Sequence, residues 1–211
     1  MKSPGKRFER ALVRGWLHEP VGPPRASMAL FHGASGNCEG ALMIAVAEAF
    51  CGDGFLVLRG DLPYRQDHPH GPPRGNGQRD RDGIRRAAEE LRPMVPAGVL
   101  CLAGHSYGGR QCTMVAAEDP GVSGALLLLS YPLHPPGPAA KLRTEHFPSL
   151  RTPALFVHGT RDGFGSIEEL QAALALIPAR TKLVPVKGAG HGVPPATAAS
   201  LTEWLSEIIG T

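Results

Sequence analysis

A serine flanked by glycines is the first candidate for chemistry in this chain. Residues 99–110 read VLCLAGHSYGGR, in which Gly104 and Gly108 lie two positions before and after Ser106. The spacing glycine–x–serine–x–glycine is typical of a sharp turn between a strand and a helix that carries the serine at its apex. Because short motifs recur by chance, a glycine-rich turn with an incidental serine is the competing interpretation.

Two further residues could activate this serine. An alcohol is a poor nucleophile until an imidazole takes its proton, and the imidazole needs a carboxylate that fixes its tautomer. Asp162 follows a predicted strand at 154–157, and His191 follows another at 181–186. Taken singly, Asp162 is typical of a turn aspartate and His191 of a loop residue. Their positions after separate strands favour a Ser106–His191–Asp162 triad.

The same chemistry requires two fixed hydrogen-bond donors for the oxyanion of a tetrahedral intermediate. The backbone N–H of Tyr107, at the start of the helix that follows the serine, is one candidate. The other is the backbone N–H of Ala34, in the loop HGASG at 32–36 that follows an apolar strand. The sequence therefore predicts that these two loops lie side by side.

Apolar strands alternate with helical patterns along the chain and must position these groups. The predicted strands lie at 27–31, 55–58, 99–103, 124–129, 154–157 and 181–186, with one further edge strand at 10–17. The predicted helices lie at 39–51, 78–91, 107–118, 166–176 and 195–209. Strands that are apolar throughout are typical of a parallel sheet with helices on both faces.

This pattern predicts an α/β fold with a mostly parallel, doubly wound sheet of about six to seven strands. We expect one domain over 1–211, with its core at about 26–209. Right-handed crossovers bring the carboxyl ends of the parallel strands to one edge, where folds of this class bind ligands. Ser106, Asp162 and His191 are therefore expected at the same edge.

Composition limits the partners that the chain could have. A formal net charge of +3 over 211 residues does not favour nucleic acid or a membrane surface. No apolar run approaches the ~20 residues of a membrane span, and residues 1–10 lack the apolar core of a secretory signal. Four cysteines without paired spacing predict buried, reduced thiols and a cytoplasmic protein. The arginines at 79–86 alternate with acidic residues, which predicts a solvated helix face.

The glycine–serine turn, the loop at 32–36, the segment HGTRD at 158–162 and the segment GAGH at 188–191 together resemble the alpha/beta hydrolases. The resemblance covers roughly residues 26–209. It is strongest to the small dienelactone-hydrolase-like type, in particular the branch with the testis-expressed hydrolase-like proteins. Dienelactone hydrolases proper use a cysteine nucleophile, and the serine at this position argues against that activity.

This resemblance implies specific roles for five residues. Ser106 would be the nucleophile, Asp162 the acid and His191 the base, with Ala34 and Tyr107 supplying the oxyanion hole. No cofactor is implied. The segment between the fourth apolar strand and the fifth, about 130–152, is too short and proline-rich for a helical cap domain, which favours small or exposed acyl groups.

Several other side chains are candidates to line the substrate site: His32, Asn37, Tyr64, Tyr131 and Phe164. Three arginines are candidates to bind an anion, although structural ion pairs are the simpler interpretation: Arg59, Arg65 and Arg110. Asp67, His68 and His70 fall in a proline-rich loop without a third ligand at useful spacing, so no metal site is predicted there.

The sequence thus predicts a serine hydrolase that cleaves a small-molecule carboxylic ester or thioester through an acyl-enzyme. A peptidase or an acyltransferase remains an alternative, because the same triad serves each of them. A non-catalytic interaction module with this fold is the alternative from another class. Neither the substrate nor the oligomeric state follows from the sequence.

Overall fold

One mixed sheet runs through the computed structural model, which describes residues 5–135 and 141–209. Within these residues eight strands pair in the order β1-β2-β4-β3-β5-β6-β7-β8. The strands are β1 (Lys6–Arg10), β2 (Val13–His18), β3 (Ala26–Phe31), β4 (Phe55–Asp61), β5 (Val99–His105), β6 (Ala125–Leu129), β7 (Ala154–Gly159) and β8 (Thr181–Val186). From β4 to β8 all pairs are parallel, whereas β1 and β2 are antiparallel to their neighbours. The predicted fold class is confirmed.

The edge of the sheet differs from the prediction of a single strand at 10–17. That segment is part of a hairpin, in which β1 and β2 are joined by a two-residue turn between Arg10 and Val13. Leu12 has a φ of 62° in this turn, a left-handed conformation that glycine or asparagine usually occupies. The sequence has neither glycine nor asparagine at this position, so it gives no indication of the turn. For this reason the predicted sheet has at most seven strands, whereas the observed sheet has eight.

Helices cover both faces of the sheet. They are α1 (Ala41–Gly52), α2 (Pro63–Asp67), α3 (Gln78–Leu91), α4 (Tyr107–Glu118), α5 (Ile167–Leu174) and α6 (Ala198–Ile209). Apolar side chains of α1 and α6 form one buried cluster with the sheet, and those of α3, α4 and α5 form the other. Among the helices of the described residues, none has the length and apolar character needed to cross a membrane.

The helix α3 is less solvated than its arginines suggested. Asp80 and Arg81 are buried, at 3% and 6% exposure. Arg81 donates from Nη1 to Oε1 of Gln111 at 3.1 Å and pairs with Glu118 at 3.3 Å, which ties α3 to α4. The prediction of a solvated face is therefore wrong for these two residues, because α3 packs between α2 and α4.

The central strands bring the candidate residues to one edge. β5 lies between β3 and β6, with Gly104 opposite Phe31 on one side and Leu128 on the other. Because β5, β7 and β8 run parallel, the loops that follow them open at the same edge of the sheet. Ser106, Asp162 and His191 lie in these three loops.

Candidate active site

Ser106 occupies a strained backbone position between β5 and α4. Its φ of 50° and ψ of −115° lie outside the regions that non-glycine residues ordinarily adopt. Its N–H donates to the carbonyl oxygen of Leu129 at 2.8 Å, and its carbonyl accepts from Arg110 N at 2.9 Å. Helix and sheet therefore both hold the turn, and the serine projects into the loop region.

The flanking glycines are required by close backbone packing. A Cβ on Gly104 would lie 2.5 Å from the Gly109 nitrogen, and a Cβ on Gly108 would lie 2.5 Å from the His32 carbonyl oxygen. Real Cβ atoms do not approach backbone this closely. The glycine–x–serine–x–glycine spacing thus follows from the packing of α4 against β5 and β3.

Replacing Gly104 with alanine is expected to destabilise the protein by about 1–3 kcal/mol or more, because the three atoms that its Cβ would approach within 3.0 Å all belong to the backbone and cannot rotate away. Gly52→Ala is the matched control, since a Cβ there meets nothing within 4 Å and alanine favours the helix. Urea denaturation of both variants measures the difference. Equal midpoints for the two variants would contradict this account of the turn.

The three candidate residues form a continuous hydrogen-bonded chain. Ser106 Oγ lies 2.7 Å from His191 Nε2. On the other side of the ring, Nδ1 lies 2.9 and 3.0 Å from the two carboxylate oxygens of Asp162. Nδ1 therefore donates to the carboxylate and Nε2 accepts from the serine hydroxyl, which is the tautomer that a general base requires.

Asp162 is held ionised beneath the imidazole. Its side chain is fully buried. Burial by itself raises the pKa of the carboxyl group, but the hydrogen bonds from His191 and from the Phe164 backbone N–H outweigh it, and the pKa is lowered overall. A buried carboxylate that stays charged can stabilise the imidazolium that forms when the serine loses its proton.

Two further histidines support this arrangement and were not singled out from the sequence. His105 donates from Nε2 to the carbonyl oxygen of His191 at 3.0 Å, and burial lowers the pKa of its ring. His158 is fully buried and donates from Nε2 to the carbonyl oxygen of Gly165 at 2.9 Å. The only sequence signal for either was its position beside a candidate residue or at a strand end.

The loop at 32–36 lies directly over the serine turn. A Cβ on Gly33 would lie 2.8 Å from the His105 ring and 3.3 Å from Ser106 Cβ. Ala34 and Tyr107 both line the cavity in front of Ser106. The predicted closeness of the two loops is therefore present.

Arg65 fixes this loop by donating to four carbonyl oxygens. Nε bonds Gly36 at 2.8 Å and Nη2 bonds Ala34 at 3.0 Å, while the other two bonds reach His68 and Gly71. Arg65 is thus a structural residue that joins the two loops at 32–36 and 68–71. The buried Arg59 is structural too, since it bonds His18 and the Cys38 carbonyl.

Replacing Arg65 with lysine is expected to lower stability by about 2–4 kcal/mol, because one ammonium cannot reproduce a fork of four bonds to backbone carbonyls. Arg180→Lys, at an exposed arginine, is the matched control and should leave stability unchanged within about 0.5 kcal/mol. Thermal denaturation reports the difference. Similar melting curves for the two variants would argue against a loop-fixing role.

A cavity of about 1010 Å³ opens in front of the triad. Of the candidate substrate-lining residues, Phe164 lines it, with its ring 4.3 Å from that of His191. The others are not among the described lining residues: His32, Asn37, Tyr64 and Tyr131.

Each of these four side chains makes its contacts elsewhere in the structure, and their part in lining the substrate site stays a prediction. His32 is buried and its Nε2 accepts from Leu62 N at 3.2 Å, while Tyr64 donates to the Ala34 carbonyl at 2.8 Å. Tyr131 is buried and donates to the carbonyl oxygen of Arg143. The side-chain oxygen of Asn37 accepts a hydrogen bond from Glu39 N and caps a turn. Position near a strand end did not reveal which way each side chain points.

No cap domain covers the cavity in the described residues. Between β6 and β7 the structure describes 130–135 and 141–153, and the only helical segment there is a single 3₁₀ turn (Phe147–Ser149). Phe147 anchors that turn against Tyr131 and Phe156, with ring centroids 5.4 and 6.3 Å away. The described part of this segment thus contains no folded helical unit.

Comparison with known proteins supports the same fold. The profile of the alpha/beta hydrolase domain family matches residues 24–208. Among solved structures, Est1E from Butyrivibrio proteoclasticus superimposes with a TM-score of 0.78 at 19% identity, over 99% of this chain and 100% of that one. The dienelactone hydrolase from Anabaena variabilis gives 0.75 at 19% identity, over 97% and 98% of the two chains.

A third similar structure is XC6422 from Xanthomonas campestris, described as a member of the alpha/beta serine hydrolases without a lid. It gives a TM-score of 0.67 at 17% identity, over 100% of this chain and 94% of that one. At these sequence identities the three structures show a shared fold and no more. The serine, histidine and aspartate described above lie at the edge of the sheet where folds of this class bind ligands.

Proposed function

The chain belongs to the alpha/beta hydrolase domain family, and from that premise we propose that it is a serine hydrolase acting on a small carboxylic ester or thioester. The observation that carries the proposal is the unbroken path from Ser106 Oγ through His191 to Asp162, with contacts of 2.7 and 2.9 Å. A purely structural role does not require a serine in a strained backbone conformation that is hydrogen-bonded to a base, with a buried carboxylate behind that base. Acyl transfer to water needs all three.

In the first half of the reaction, Ser106 Oγ attacks the carbonyl carbon while its proton passes to His191 Nε2. The carbonyl electron pair moves onto oxygen and forms a tetrahedral oxyanion. The N–H groups of Ala34 and Tyr107 are the proposed donors to that oxygen, and the positive end of the α4 dipole lies beside them. Asp162 stabilises the imidazolium throughout.

Collapse of this intermediate breaks the bond to the leaving alcohol or thiol, which receives the proton from His191 and departs. The acyl group is then an ester of Ser106. Water repeats the sequence: His191 takes a water proton, hydroxide adds to the acyl carbon, and collapse returns the proton to Ser106 Oγ. The carboxylic acid is released and the enzyme is restored, with no cofactor in either half.

The test is covalent labelling with a fluorophosphonate, combined with hydrolysis of a 4-nitrophenyl ester and a matched thioester. We expect one label per chain on the peptide that contains Ser106, and turnover of at least one acyl substrate. A protein that neither labels nor hydrolyses any of them would overturn the proposal in favour of a non-catalytic module.

A further inference from the structure

The cavity in front of Ser106 is basic and contains no acidic side chain among its described lining residues. Three arginines line it: Arg65, Arg110 and Arg143. The guanidinium of Arg65 already donates to four carbonyl oxygens of the loops. The positive charges of Arg110 and Arg143 therefore remain to be explained.

Arg110 is half-buried one helical turn after Ser106, and within the described residues its guanidinium has neither a hydrogen-bond acceptor nor a carboxylate within 4.0 Å. Its Nε is buried with no partner there. Arg143 comes from the segment between β6 and β7, and its only side-chain bond within the same residues is a 3.4 Å contact to the His134 carbonyl. The residues at 136–140 are Pro, Gly, Pro, Ala and Ala, which carry no acidic side chain.

The two guanidinium groups also lie close enough to repel each other. Burial lowers the pKa of Arg143, and the charge of Arg110 lowers it further. The charge of Glu145 acts on both arginines and offsets part of this repulsion, but Glu145 is exposed and pairs with Lys141 at 3.2 Å. His146, beside them, has a pKa lowered to about 4 by burial and by Arg110, so it is neutral at physiological pH.

Two half-buried, mutually repelling guanidiniums at the wall of a binding cavity are a cost to the empty protein that a bound anion would remove. Arginine forks match carboxylate and phosphate oxygens, and such charge-assisted bonds are about twice as strong as neutral ones. Because Arg110 lies one turn along the helix from Ser106, roughly 6 Å in rise, the anion would be part of the same molecule as the reacting acyl group.

We infer that Arg110 and Arg143 form an anion subsite, and that the substrate of this enzyme is an acyl compound with a carboxylate or phosphate group a few bonds from the scissile carbonyl. The inference rests on the proposed function of Ser106. It assigns to these two arginines the choice of substrate rather than the bond-breaking chemistry.

The test compares two 4-nitrophenyl esters that differ in one charge: the monoester of glutaric acid, which is an anion, and its neutral methyl ester. The readout is the ratio of kcat/KM for the anionic ester to that for the neutral ester. We expect the wild type to prefer the anion. Arg110→Gln and Arg143→Gln should each lower the ratio about ten- to hundredfold, the effect of losing one charge-assisted contact.

Arg180→Gln removes the same charge from an exposed site outside the cavity and should leave the ratio unchanged. Competition by glutarate and by inorganic phosphate then distinguishes the two anion types, and competition by neither would count against the subsite. Ser106 that labels with a fluorophosphonate while the two esters react equally would overturn this inference and leave the proposed function intact. Absence of labelling would overturn both.

Discussion

Replacing Ser106 with alanine is expected to abolish fluorophosphonate labelling and to lower ester hydrolysis by about 10⁴- to 10⁶-fold, the range seen when a triad nucleophile is removed. The physical reason is that the proposed base generates the nucleophile through the 2.7 Å contact between Ser106 Oγ and His191 Nε2. KM should change much less than kcat, because the hydroxyl contributes to bond formation rather than to ground-state binding.

The fold should survive this change. Alanine keeps the Cβ at the strained position, so the variant loses one hydrogen bond worth about 0.5–1.5 kcal/mol, a melting shift of a few degrees at this size. Ser27→Ala is the matched control, since Ser27 is a buried serine in β3 outside the cavity. Its labelling should equal that of the wild type. Full labelling of the Ser106→Ala protein would falsify the assignment of the nucleophile.

Replacing Asp162 with asparagine is expected to lower kcat by about 10⁴-fold at neutral pH. One oxygen of Asp162 accepts from the Phe164 N–H at 2.8 Å, so an asparagine that keeps this bond turns its amide NH₂ toward His191 Nδ1. The ring then carries its proton on Nε2 and cannot accept the proton of Ser106. The imidazolium would also lose its counter-charge.

The pH dependence of stability gives a second readout at Asp162. Its pKa in the folded protein is lowered from the usual 3.8, so the carboxylate stabilises the fold above about pH 4 and this contribution is lost as the pH falls through the lowered pKa. The stability difference between wild type and Asp162→Asn should therefore shrink from pH 7 to pH 3. Asp119→Asn, at an exposed turn, is the control and should change neither kcat nor this dependence. Wild-type kcat in Asp162→Asn would remove Asp162 from the mechanism.

The burial of charged groups shows where sequence reasoning reached its limit. Asp80 was expected on a solvated helix face, yet it is buried and accepts from Tyr64 N at 2.9 Å and Tyr107 Oη at 2.7 Å. Those partners are 16 and 27 residues away in the chain. The pattern of charges along one helix does not predict which residues of other elements pack against that helix and bury its charged side chains.

The arginines illustrate the same limit with consequences for function. The sequence proposed Arg59, Arg65 and Arg110 as equal candidates for binding an anion. The structure assigns carbonyl acceptors to the first two and leaves the guanidinium of Arg110 without an acceptor among the described residues, while adding Arg143, which the sequence did not single out. An arginine looks the same in sequence whether its partner is a loop 29 residues away or a ligand.

The sequence by itself determined the reaction class proposed for this protein and the edge of the sheet where it would occur. Strand and helix periodicity are local properties of the chain, and the glycines at 104 and 108 mark the turn around Ser106 in the sequence. The packing that requires Gly108 is tertiary, because a Cβ there would meet the carbonyl oxygens of Phe31 and His32. Only the tertiary structure decided which side chains face the cavity, how His191 spans Ser106 and Asp162, and which arginines remain without a partner. These depend on contacts between residues distant in sequence, which form when α4 and the loops pack over the carboxyl ends of the strands.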